Sequence, residues 1–482
     1  MKLKDLLVGV SVLEASADLE MNIESVAYDS RKVTAGGLFV AITGFAADGN
    51  RFIPMALEKG AVAVVTAKKP ETDVPYVLVT SDRLALAQIG ANWFGHPAQA
   101  MIMIGITGTN GKTSSTLLLK QVLEKTIGAK VGLIGTMENM IGDTVIPTER
   151  TTPESFELQG LFAQMRDAGC SHVVMEVSSH AIALDRVGGV HFDIAAFTNL
   201  TEDHLDFHKT MENYCDTKAI LFTRCDKAVL NRDDAWFERI ASQAGCSALT
   251  TSAKQQADVY AENVELHSDG IAFTAVKDDE KTKITLPIPG KFTVYNALTV
   301  LGIASQLGIS LADAGKALAT AKGVRGRVEV VPTPGKDFTV LIDYAHTPDG
   351  LENVLSSVRG FCKGRLISVF GCGGDRDPMK RPIMGKIGVT LSDIAVITSD
   401  NPRSEAPMAI IKDILEGVDE TQGEYIVIED RKKAVAYAMD IAKKSDIIVL
   451  AGKGHETYQE ICGVKHHLDE REVVAAHLTE MR

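Results

Sequence analysis

Short apolar runs alternate with longer amphipathic stretches along most of the chain. The runs 61–65, 131–134 and 394–397 each consist of four or five consecutive apolar residues, rich in Val, Ile and Ala. Continuous apolar runs of this length, separated by helical stretches, are typical of strands that are covered on both faces. The pattern therefore predicts an α/β fold with mainly parallel sheets.

The alternation falls into three regions, for which we predict three domains. Residues 1–98 end at the linker-like Gly-His-Pro of 95–97, and residues 99–328 begin with a strand that leads into a glycine-rich turn. A third alternating set occupies 329–482, after the Gly-Val-Arg-Gly-Arg of 323–327. A chain of 482 residues is long enough for two to four domains of ordinary size.

Composition and charge narrow the class of function. The net charge of −13 makes the chain a poor candidate for nucleic-acid binding, and we expect no nucleic-acid partner. The seven cysteines are scattered without a Cys-x-x-Cys pair, which favours reduced thiols in a cytoplasm. No apolar run reaches about 18 residues, and the first residues lack the apolar core of a signal peptide. We therefore expect a cytoplasmic protein without a membrane span.

The glycine-rich turn at 105–115, Gly-Ile-Thr-Gly-Thr-Asn-Gly-Lys-Thr-Ser-Ser, is the most informative segment. A strand-like run, 101–104, precedes it, and a helical run, 116–120, follows it. At such a turn, glycines let backbone N–H groups approach phosphate oxygens, and the helix N-terminus adds positive potential. Lys112 supplies a charge, and Thr113 offers a hydroxyl to Mg²⁺. The turn therefore predicts a nucleoside-triphosphate site.

Two polar segments follow strands of the same region. Glu176 ends the apolar run 173–175, where a carboxylate is well placed to hold Mg²⁺ directly or through water. The segment 198–208 is dense in His and Asp and includes His204. It has neither thiolates nor a His-Glu-x-x-His pattern, so Mg²⁺ beside a nucleotide fits it better than zinc does.

Four polar turns close successive strands of the third region, at 343–349, 371–377, 400–403 and 452–456. Parallel sheets place such turns at one edge, where they form a ligand cleft. We therefore predict a ligand cleft in the third region.

Together these segments resemble the Mur ligase family, the ATP-dependent amino-acid ligases of peptidoglycan assembly. The resemblance spans about 29–456 and is carried by 108–113, 176–180, Asn199, Asp203, His204, Asn296, 326–329, 343–346 and 452–456. Ile106, which departs from the strict pattern of other P-loop ATPases, is compatible with the loop of this family. Asp29-Ser30-Arg31 and Thr151-Thr152-Pro153 resemble the tripeptide-forming members of the family. The Asp-Asn-Pro-Arg of 400–403 resembles the motif of those that add meso-diaminopimelate. Lysine-adding members usually differ at the arginine.

The resemblance implies a fold and a set of ligands. The fold comprises an N-terminal uridine-nucleotide-binding domain, a central P-loop ATPase domain with a mainly parallel sheet, and a C-terminal Rossmann-like domain. The residues that would bind ATP are Gly108, Thr109, Asn110, Gly111, Lys112, Thr113, Ser114, Asn296, Arg327 and Asp343. Those that would bind the UDP-muramoyl peptide are Asp29, Ser30, Thr151, Thr152, Ser178, Arg186 and Lys218. Leu184 stands where relatives often carry glutamine, so one contact to this substrate differs.

The resemblance also implies the remaining site residues. Those that would bind diaminopimelate are Arg381, Asp400, Asn401, Pro402, Arg403, Gly452 and Glu456. Those implied as catalytic are Lys112, His204, Lys218 and Glu456. The groups implied to hold Mg²⁺, as two ions, are Thr113, Glu176, His204 and a carbamate on Lys218. From the residues alone, Lys218 is an ordinary lysine on a helix surface; only the resemblance implies N6-carboxylysine.

The implied reaction is the ATP-dependent attachment of meso-diaminopimelate to the D-Glu γ-carboxylate of UDP-N-acetylmuramoyl-L-Ala-D-Glu, through an acyl phosphate. We expect a monomer. A lysine-adding member of the family is the nearest alternative. A folylpolyglutamate-synthetase-like ligase is a wider one, although it would lack residues 1–98. A nucleotide-regulated binding protein without ligase activity is disfavoured by the acids and histidines beside the loop.

Overall fold

The computed structural model describes residues 1–44, 48–71, 73–148, 150–419 and 421–481. The chain divides into two units, called here unit 1 and unit 2. Unit 1 comprises 1–252, 256–259 and 299–310. Unit 2 comprises 253–255, 260–298 and 311–482. Among the residues described, no helix combines the length and the apolarity needed to cross a membrane.

The first sheet of unit 1 is formed by the N-terminal residues. Its strands are β1 (Val12–Ala15), β2 (Ser25–Ala27), β3 (Gly37–Ala41), β4 (Ala61–Thr66) and β5 (Tyr76–Val79). The spatial order is β1-β5-β4-β3-β2, and every pair is parallel except β1 with β5. Its helices are α1 (Leu3–Leu6), α2 (Ile53–Glu58) and α3 (Asp82–Trp93). Buried residues such as Leu38, Val65 and Leu86 form its core.

The second sheet of unit 1 carries the glycine-rich turn. Its strands in this unit are β6 (Ile102–Thr107), β7 (Val131–Ile134), β8 (Asn139–Ile141), β9 (Thr144–Ile146), β10 (His172–Glu176), β11 (Phe192–Phe197), β12 (Cys225–Asn231) and β13 (Ser247–Ser252). They lie in the order β13-β12-β11-β6-β10-β7-β8-β9, and the pairs β7–β8 and β8–β9 are antiparallel. The helices are α4 (Lys112–Ile127), α5 (Ser155–Asp167), α6 (Ser179–Ala183), α7 (Leu205–His208), α8 (Met211–Ala219) and α9 (Phe237–Gln243). Parallel pairing brings the carboxyl ends of β6, β10 and β11 to one edge of the sheet.

Unit 2 contains an antiparallel hairpin set and a parallel sheet. The hairpin strands are β14 (Val259–His267), β15 (Gly270–Lys277) and β16 (Glu280–Leu286). Helix α10 (Lys291–Gln306) begins in unit 2 and ends in unit 1, and α11 (Leu311–Leu318) follows it in the chain.

The parallel sheet of unit 2 is formed by the C-terminal residues. Its strands are β17 (Glu329–Val331), β18 (Thr339–Asp343), β19 (Leu366–Phe370), β20 (Ile394–Ile397), β21 (Glu424–Val427) and β22 (Ile447–Ala451). Their order is β17-β18-β22-β19-β20-β21, with β17 alone antiparallel to its neighbour. A hairpin of β23 (Tyr458–Ile461) and β24 (Val464–His467) follows. The helices are α12 (Pro348–Arg359), α13 (Lys380–Leu391), α14 (Pro407–Val418), α15 (Arg431–Asp440) and α16 (Glu470–Glu480).

The predicted α/β class with mainly parallel sheets is confirmed, and the runs 131–134 and 394–397 are the strands β7 and β20. The strand and the helix predicted on either side of the glycine-rich turn are confirmed, and both extend into it. Strand β6 continues to Thr107 rather than ending near 104, because Gly105 pairs with β10 and β11 and packs against Phe192. Helix α4 begins at Lys112, not near 116. The domain boundaries at 98 and 328 stay a prediction.

Helices α13 and α14 lie unusually close together because glycines face the contact. A Cβ on Gly417 would lie 1.8 Å from the backbone oxygen of Pro382. A Cβ on Gly385 would lie 2.1 Å from the oxygen of Ile414. The helices can keep this separation only while both positions lack a side chain.

We predict that Gly417→Ala destabilises unit 2 by about 2 kcal/mol or more, because the new methyl group must push the two helices apart. Calorimetric unfolding measures the change. Alanine is the better helix former, so a destabilisation cannot come from helix propensity. The exposed neighbour Glu416→Ala is the control, with an expected change within about 0.5 kcal/mol. Unfolding of Gly417→Ala at the wild-type temperature would contradict the steric account.

Candidate active site

The glycine-rich turn lies between β6 and α4 and is fastened to the end of β11. Gly108 has a φ of +147°, and a Cβ there would lie 1.9 Å from the hydroxyl oxygen of Thr198. The N–H of Asn110 donates to the side-chain oxygen of Asn199 at 2.9 Å. Gly111, with a φ of +84°, leads directly into α4. The turn therefore has the backbone shape and the helix N-terminus of a phosphate site.

The lysine of the turn folds back over it. Lys112 Nζ donates to the backbone oxygens of Gly108 at 2.9 Å and Thr109 at 2.8 Å. These contacts hold the ammonium beside the loop whose N–H groups would face phosphate oxygens. A cation held here adds to the positive potential of the α4 N-terminus.

Lys218 is completely buried, so the interpretation from the residues alone, a lysine on a helix surface, was wrong. Its Nζ donates to the backbone oxygen of Gly108 at 2.9 Å and lies 4.6 Å from the centroid of the Tyr214 ring. Burial, aided by the charge of Lys112, holds the pKa of Lys218 well below its ordinary value. Lys218 lies four residues after Tyr214, a spacing that places both side chains on the same face of α8. This spacing is the sequence signal that could have indicated its burial.

Histidines gather beside this lysine. His204 precedes α7 with a φ of +55°, and its ring centroid lies 4.8 Å from that of His180. His208 is buried, and its Nε2 is 2.9 Å from the hydroxyl of Ser179. Burial, with the nearby His180, lowers the pKa of His208 to about 4. Sequence reasoning chose His204 and missed His208, which the fold places inside.

The residues predicted to bind the muramoyl peptide converge on the end of β10. Thr152 Oγ1 donates to the backbone oxygen of Glu176 at 2.8 Å and accepts from the Ser178 N–H at 3.3 Å. Arg186 Nη1 donates to the backbone oxygen of Thr152 at 3.2 Å. Thr151 is 3.0 Å from Thr136, hydroxyl to hydroxyl. The structure thus brings these four predicted residues together with Glu176.

Thr136, which sequence reasoning missed, holds the carboxylate of Glu176. Its N–H donates to Oε1 at 2.8 Å, and its hydroxyl donates to Oε2 at 3.0 Å. Each oxygen keeps a second lone pair, so the carboxylate can still bind a cation. Among the residues that the structure describes, no three His, Cys, Asp or Glu side chains form a ready-made metal cluster. Mg²⁺ commonly keeps waters and phosphate oxygens, so a site with few protein ligands suits it.

A cavity of about 910 Å³ opens in unit 1 and includes the predicted Asp29 and Ser30. Arg150, Thr148 and Pro153 also line it, so the segment that carries Thr151 and Thr152 borders it. The Arg31 guanidinium lowers the pKa of Asp29 to about 2. A cavity of this size with mixed polar and apolar walls fits a nucleotide or sugar-sized ligand.

In unit 2, buried ionic side chains meet where β20 and β22 end. Lys453 Nζ lies 2.5 Å from Asn401 Oδ1, 3.2 Å from Asp400 Oδ1 and 3.3 Å from Glu456 Oε2. Asn401 Nδ2 also donates to Glu456 Oε2 at 2.9 Å. A Cβ on Gly452 would lie 2.7 Å from Asp400 Oδ2, so the two predicted turns touch.

Arg403 has a left-handed backbone, with a φ of +52°. Its Nη1 donates to the backbone oxygen of Gly374 at 2.7 Å, and its Nε lies 3.4 Å from Glu460 Oε2. Pro402, before it, packs its backbone oxygen against Gly374. These contacts fix the orientation of the guanidinium, while the side chain stays partly exposed.

Arg381 differs from what its predicted role in amino-acid binding requires, since its guanidinium is buried and already paired. Nη2 is 2.8 Å from Glu405, and Nη1 is 2.8 Å from Asp413. Those two carboxylates neutralise the charge, so any contribution to binding passes through the position of α13 and its surroundings.

The three predicted ATP contacts outside the loop lie in unit 2. Asp343, at the end of β18, accepts the N–H groups of Val328 at 2.8 Å and Ala345 at 2.9 Å. Burial raises the pKa of Asp343. The Arg327 guanidinium lies 5.5 Å from the centroid of the Tyr344 ring, and Asn296 is buried in α10.

Three family profiles match consecutive parts of the chain: "Mur ligase family, catalytic domain" at 22–96, "Mur ligase middle domain" at 106–304 and "Mur ligase, glutamate ligase domain" at 326–454. A UDP-N-acetylmuramoyl-L-alanyl-D-glutamate–2,6-diaminopimelate ligase of Clostridium botulinum is 50% identical over 465 residues, which cover 95% of this chain and 96% of that protein. The chain belongs to the Mur ligase family.

Other Mur ligases agree with this membership. A ligase of the same name from Clostridium tetani is 48% identical over the full length of both chains. A solved structure with that name has a TM-score of 0.78 and 30% identity, covering 100% of this chain and 99% of its own. The MurF ligase of Thermotoga maritima, solved in complex with ADP, shares the fold with a TM-score of 0.59 and 19% identity over 95% of this chain and 96% of its own.

Membership makes the chain an ATP-dependent ligase, and the predicted recognition and enzyme class are confirmed. It also supports ATP as a ligand. The roles of individual site residues stay predictions, carried by the contacts described above.

We predict that Gly108→Ala weakens ADP binding at least tenfold, about 1.4 kcal/mol, because a Cβ strains the backbone and collides with Thr198. Titration calorimetry measures the affinity. Gly128→Ala is the matched control: it is a glycine of positive φ at the far end of α4, with no atom within 4 Å of an added Cβ. Equal ADP affinity for Gly108→Ala and wild type would contradict the phosphate-site assignment.

Proposed function

We propose that the chain attaches meso-2,6-diaminopimelate to the γ-carboxylate of D-glutamate in UDP-N-acetylmuramoyl-L-alanyl-D-glutamate, with conversion of ATP to ADP and phosphate. The names of the relatives in Clostridium botulinum and Clostridium tetani support both substrates. The reaction belongs to peptidoglycan synthesis, and its nucleotide-linked substrate supports a cytoplasmic location.

The observation that carries the choice of amino acid is the placement of Arg403. This guanidinium is held at the turn that also carries Asp400 and Asn401. Lys453 contacts Asp400, and Asn401 donates a hydrogen bond to Glu456. Meso-diaminopimelate differs from lysine by a second carboxylate on its distal carbon. A guanidinium binds that carboxylate with two hydrogen bonds, whereas lysine has no second carboxylate to offer it.

The first chemical step activates the acceptor carboxylate. A γ-carboxylate oxygen of D-glutamate attacks the γ-phosphorus of ATP, the bond from that phosphorus to the β,γ-bridging oxygen breaks, and ADP leaves with the electron pair. The product is an acyl phosphate. Lys112 and the N-terminus of α4 offset the negative charge that gathers as carboxylate meets phosphate.

The second step forms the amide bond. The neutral amine of diaminopimelate attacks the acyl carbon, and a tetrahedral intermediate forms. The bond between carbon and the phosphate oxygen then breaks, phosphate leaves, and the nitrogen loses a proton. Glu456 holds the incoming amino group, since a carboxylate stabilises ammonium before the proton is released.

The residues of unit 1 fit Mg²⁺ and a carbamate. Thr113 and Glu176 would supply the hard oxygen ligands that Mg²⁺ prefers, with His204 as a further donor. When bound, Mg²⁺ neutralises charge on the phosphates. The lowered pKa of Lys218 favours the neutral amine, which is the form that reacts with carbon dioxide. Buried Lys218 therefore fits N6-carboxylysine, whose carbamate adds another oxygen ligand.

We predict that the folded protein, equilibrated with isotopically labelled bicarbonate, gives a carbamate resonance in its NMR spectrum. Lys218→Met abolishes this signal and also ligase activity. The matched control is Lys120→Met, which removes another buried lysine, one paired with Glu124 at 2.7 Å, and leaves the resonance in place. A resonance that persists in Lys218→Met would refute the carbamate assignment.

We predict that Arg403→Ala lowers kcat/KM for meso-diaminopimelate at least about tenfold through loss of a charged, two-bond contact, while KM for ATP stays within twofold. Phosphate release with UDP-muramoyl-dipeptide, ATP and each diamino acid measures both constants. Arg359→Ala, which removes an arginine paired with Asp393, is the control.

The same assay separates the alternatives. Wild type that prefers lysine would identify a lysine-adding ligase. Wild type that releases no phosphate with any amino acid would favour a binding protein without ligase activity. Arg403→Ala with wild-type kinetics for diaminopimelate would remove the basis for the specificity assignment.

A further inference from the structure

Lys453 is a completely buried lysine that the sequence analysis did not single out. Its Nζ has three oxygen partners, from Asp400, Asn401 and Glu456, at 2.5 to 3.3 Å. It also lies 5.7 Å from the centroid of the Tyr458 ring. All three oxygen partners belong to the set predicted to bind the amino acid, so one ammonium connects two separate turns of the pocket.

The hydrogen bonds give Lys453 control over the orientation of an amide and a carboxylate. Because Asn401 Oδ1 faces the ammonium, its Nδ2 is directed to Glu456 Oε2 at 2.9 Å. The same Oδ1 also accepts the N–H of Glu460 at 2.9 Å. One oxygen of Glu456 is therefore occupied by two donors, and the carboxylate has a fixed direction.

The charge balance leaves room for one more cation. Asp400 and Glu456 contribute two negative charges and Lys453 one positive charge, so the cluster retains one negative charge. The nearby Arg431 and Glu470 form a separate buried pair that is neutral in sum. Burial by itself would raise the pKa of Asp400, but the positive charges of Lys453 and Arg431 hold it below its usual range. An incoming ammonium group would complete the balance.

The backbone around Lys453 is shaped to bring it there. Gly452 has a φ of +114°, and a Cβ on it would meet Asp400 Oδ2 at 2.7 Å. Gly454 has a φ of +55°, and a Cβ on it would meet the Cβ of Tyr344 at 2.5 Å. Glycines on both sides therefore let the lysine approach the 400–401 turn more closely than any other residues would allow.

We propose that Lys453 is a positioning residue of the amino-acid pocket, whose buried ammonium holds Asn401 and Glu456 in the geometry that receives the ammonium group of the substrate. The inference rests on the proposed function, since it names how that pocket is held. Stability alone does not explain a lysine here. Burying a charge is costly even with partners, and an apolar side chain is often as stable in such a place.

The test compares Lys453→Met, which keeps most of the length and removes the charge, with Lys453→Arg, which keeps the charge. We expect KM for meso-diaminopimelate to rise at least about tenfold in Lys453→Met, with a smaller rise in Lys453→Arg. KM for ATP and for the UDP-muramoyl-dipeptide should stay within twofold. The control is Lys465→Met, an exposed lysine 4.2 Å from the centroid of the same Tyr458 ring, expected to match wild type.

The outcomes decide between positioning and mere structure. A parallel rise of all three KM values, or an unchanged KM for diaminopimelate, overturns the proposal. If Lys453→Met does not fold, a selective rise in Lys453→Arg still supports it, and loss of folding in both variants overturns it. Wild type inactive with every amino acid would refute the proposed function and the positioning role together. Active wild type with normal Lys453 variants would refute the positioning role alone.

Discussion

A charged group that is buried away from water needs an opposite charge beside it, or its pKa shifts toward the neutral form. This constraint applies in both units. Lys453 is buried among carboxylate and amide oxygens, so its ammonium is compensated and fixed in place. Lys218 is equally buried but faces a backbone oxygen and an aromatic ring, and its pKa falls. The same residue type is thus an anchoring cation in one unit, whereas in the other its surroundings favour the neutral amine.

The second organising feature is the edge of each parallel sheet. Most of the residues predicted to bind ligands or act in catalysis lie in a few turns. These turns follow β6, β10 and β11 in unit 1 and β20 and β22 in unit 2. Parallel strands leave their carboxyl ends on one side, so residues far apart in the chain become neighbours without any special contact. Glycines such as Gly108 and Gly452 then remove the side chains that would keep these turns apart.

The parts of this arrangement that depend on local pattern were predictable from the sequence. Strands β7 and β20 are continuous apolar runs, and the residues of the loop at 108–113 are by themselves enough to predict a phosphate site. The antiparallel set β14–β16 was not foreseen, since none of the apolar runs chosen as strands lies within it. The burial of Lys218, the support that Thr136 gives to Glu176 and the pairing of Arg381 with Glu405 were also missed. Each of these features depends on a partner from a different element, and local periodicity does not reveal such contacts.

The left-handed backbone at Arg403 has a consequence for protein engineering. Glycine and asparagine adopt that conformation more readily than arginine, which carries a cost of about 1 kcal/mol there. A redesign guided by thermal stability would therefore replace this arginine and count the exchange as an improvement. The variant would fold as well or better while losing the group that recognises the second carboxylate, so stability and substrate choice oppose each other at this one position.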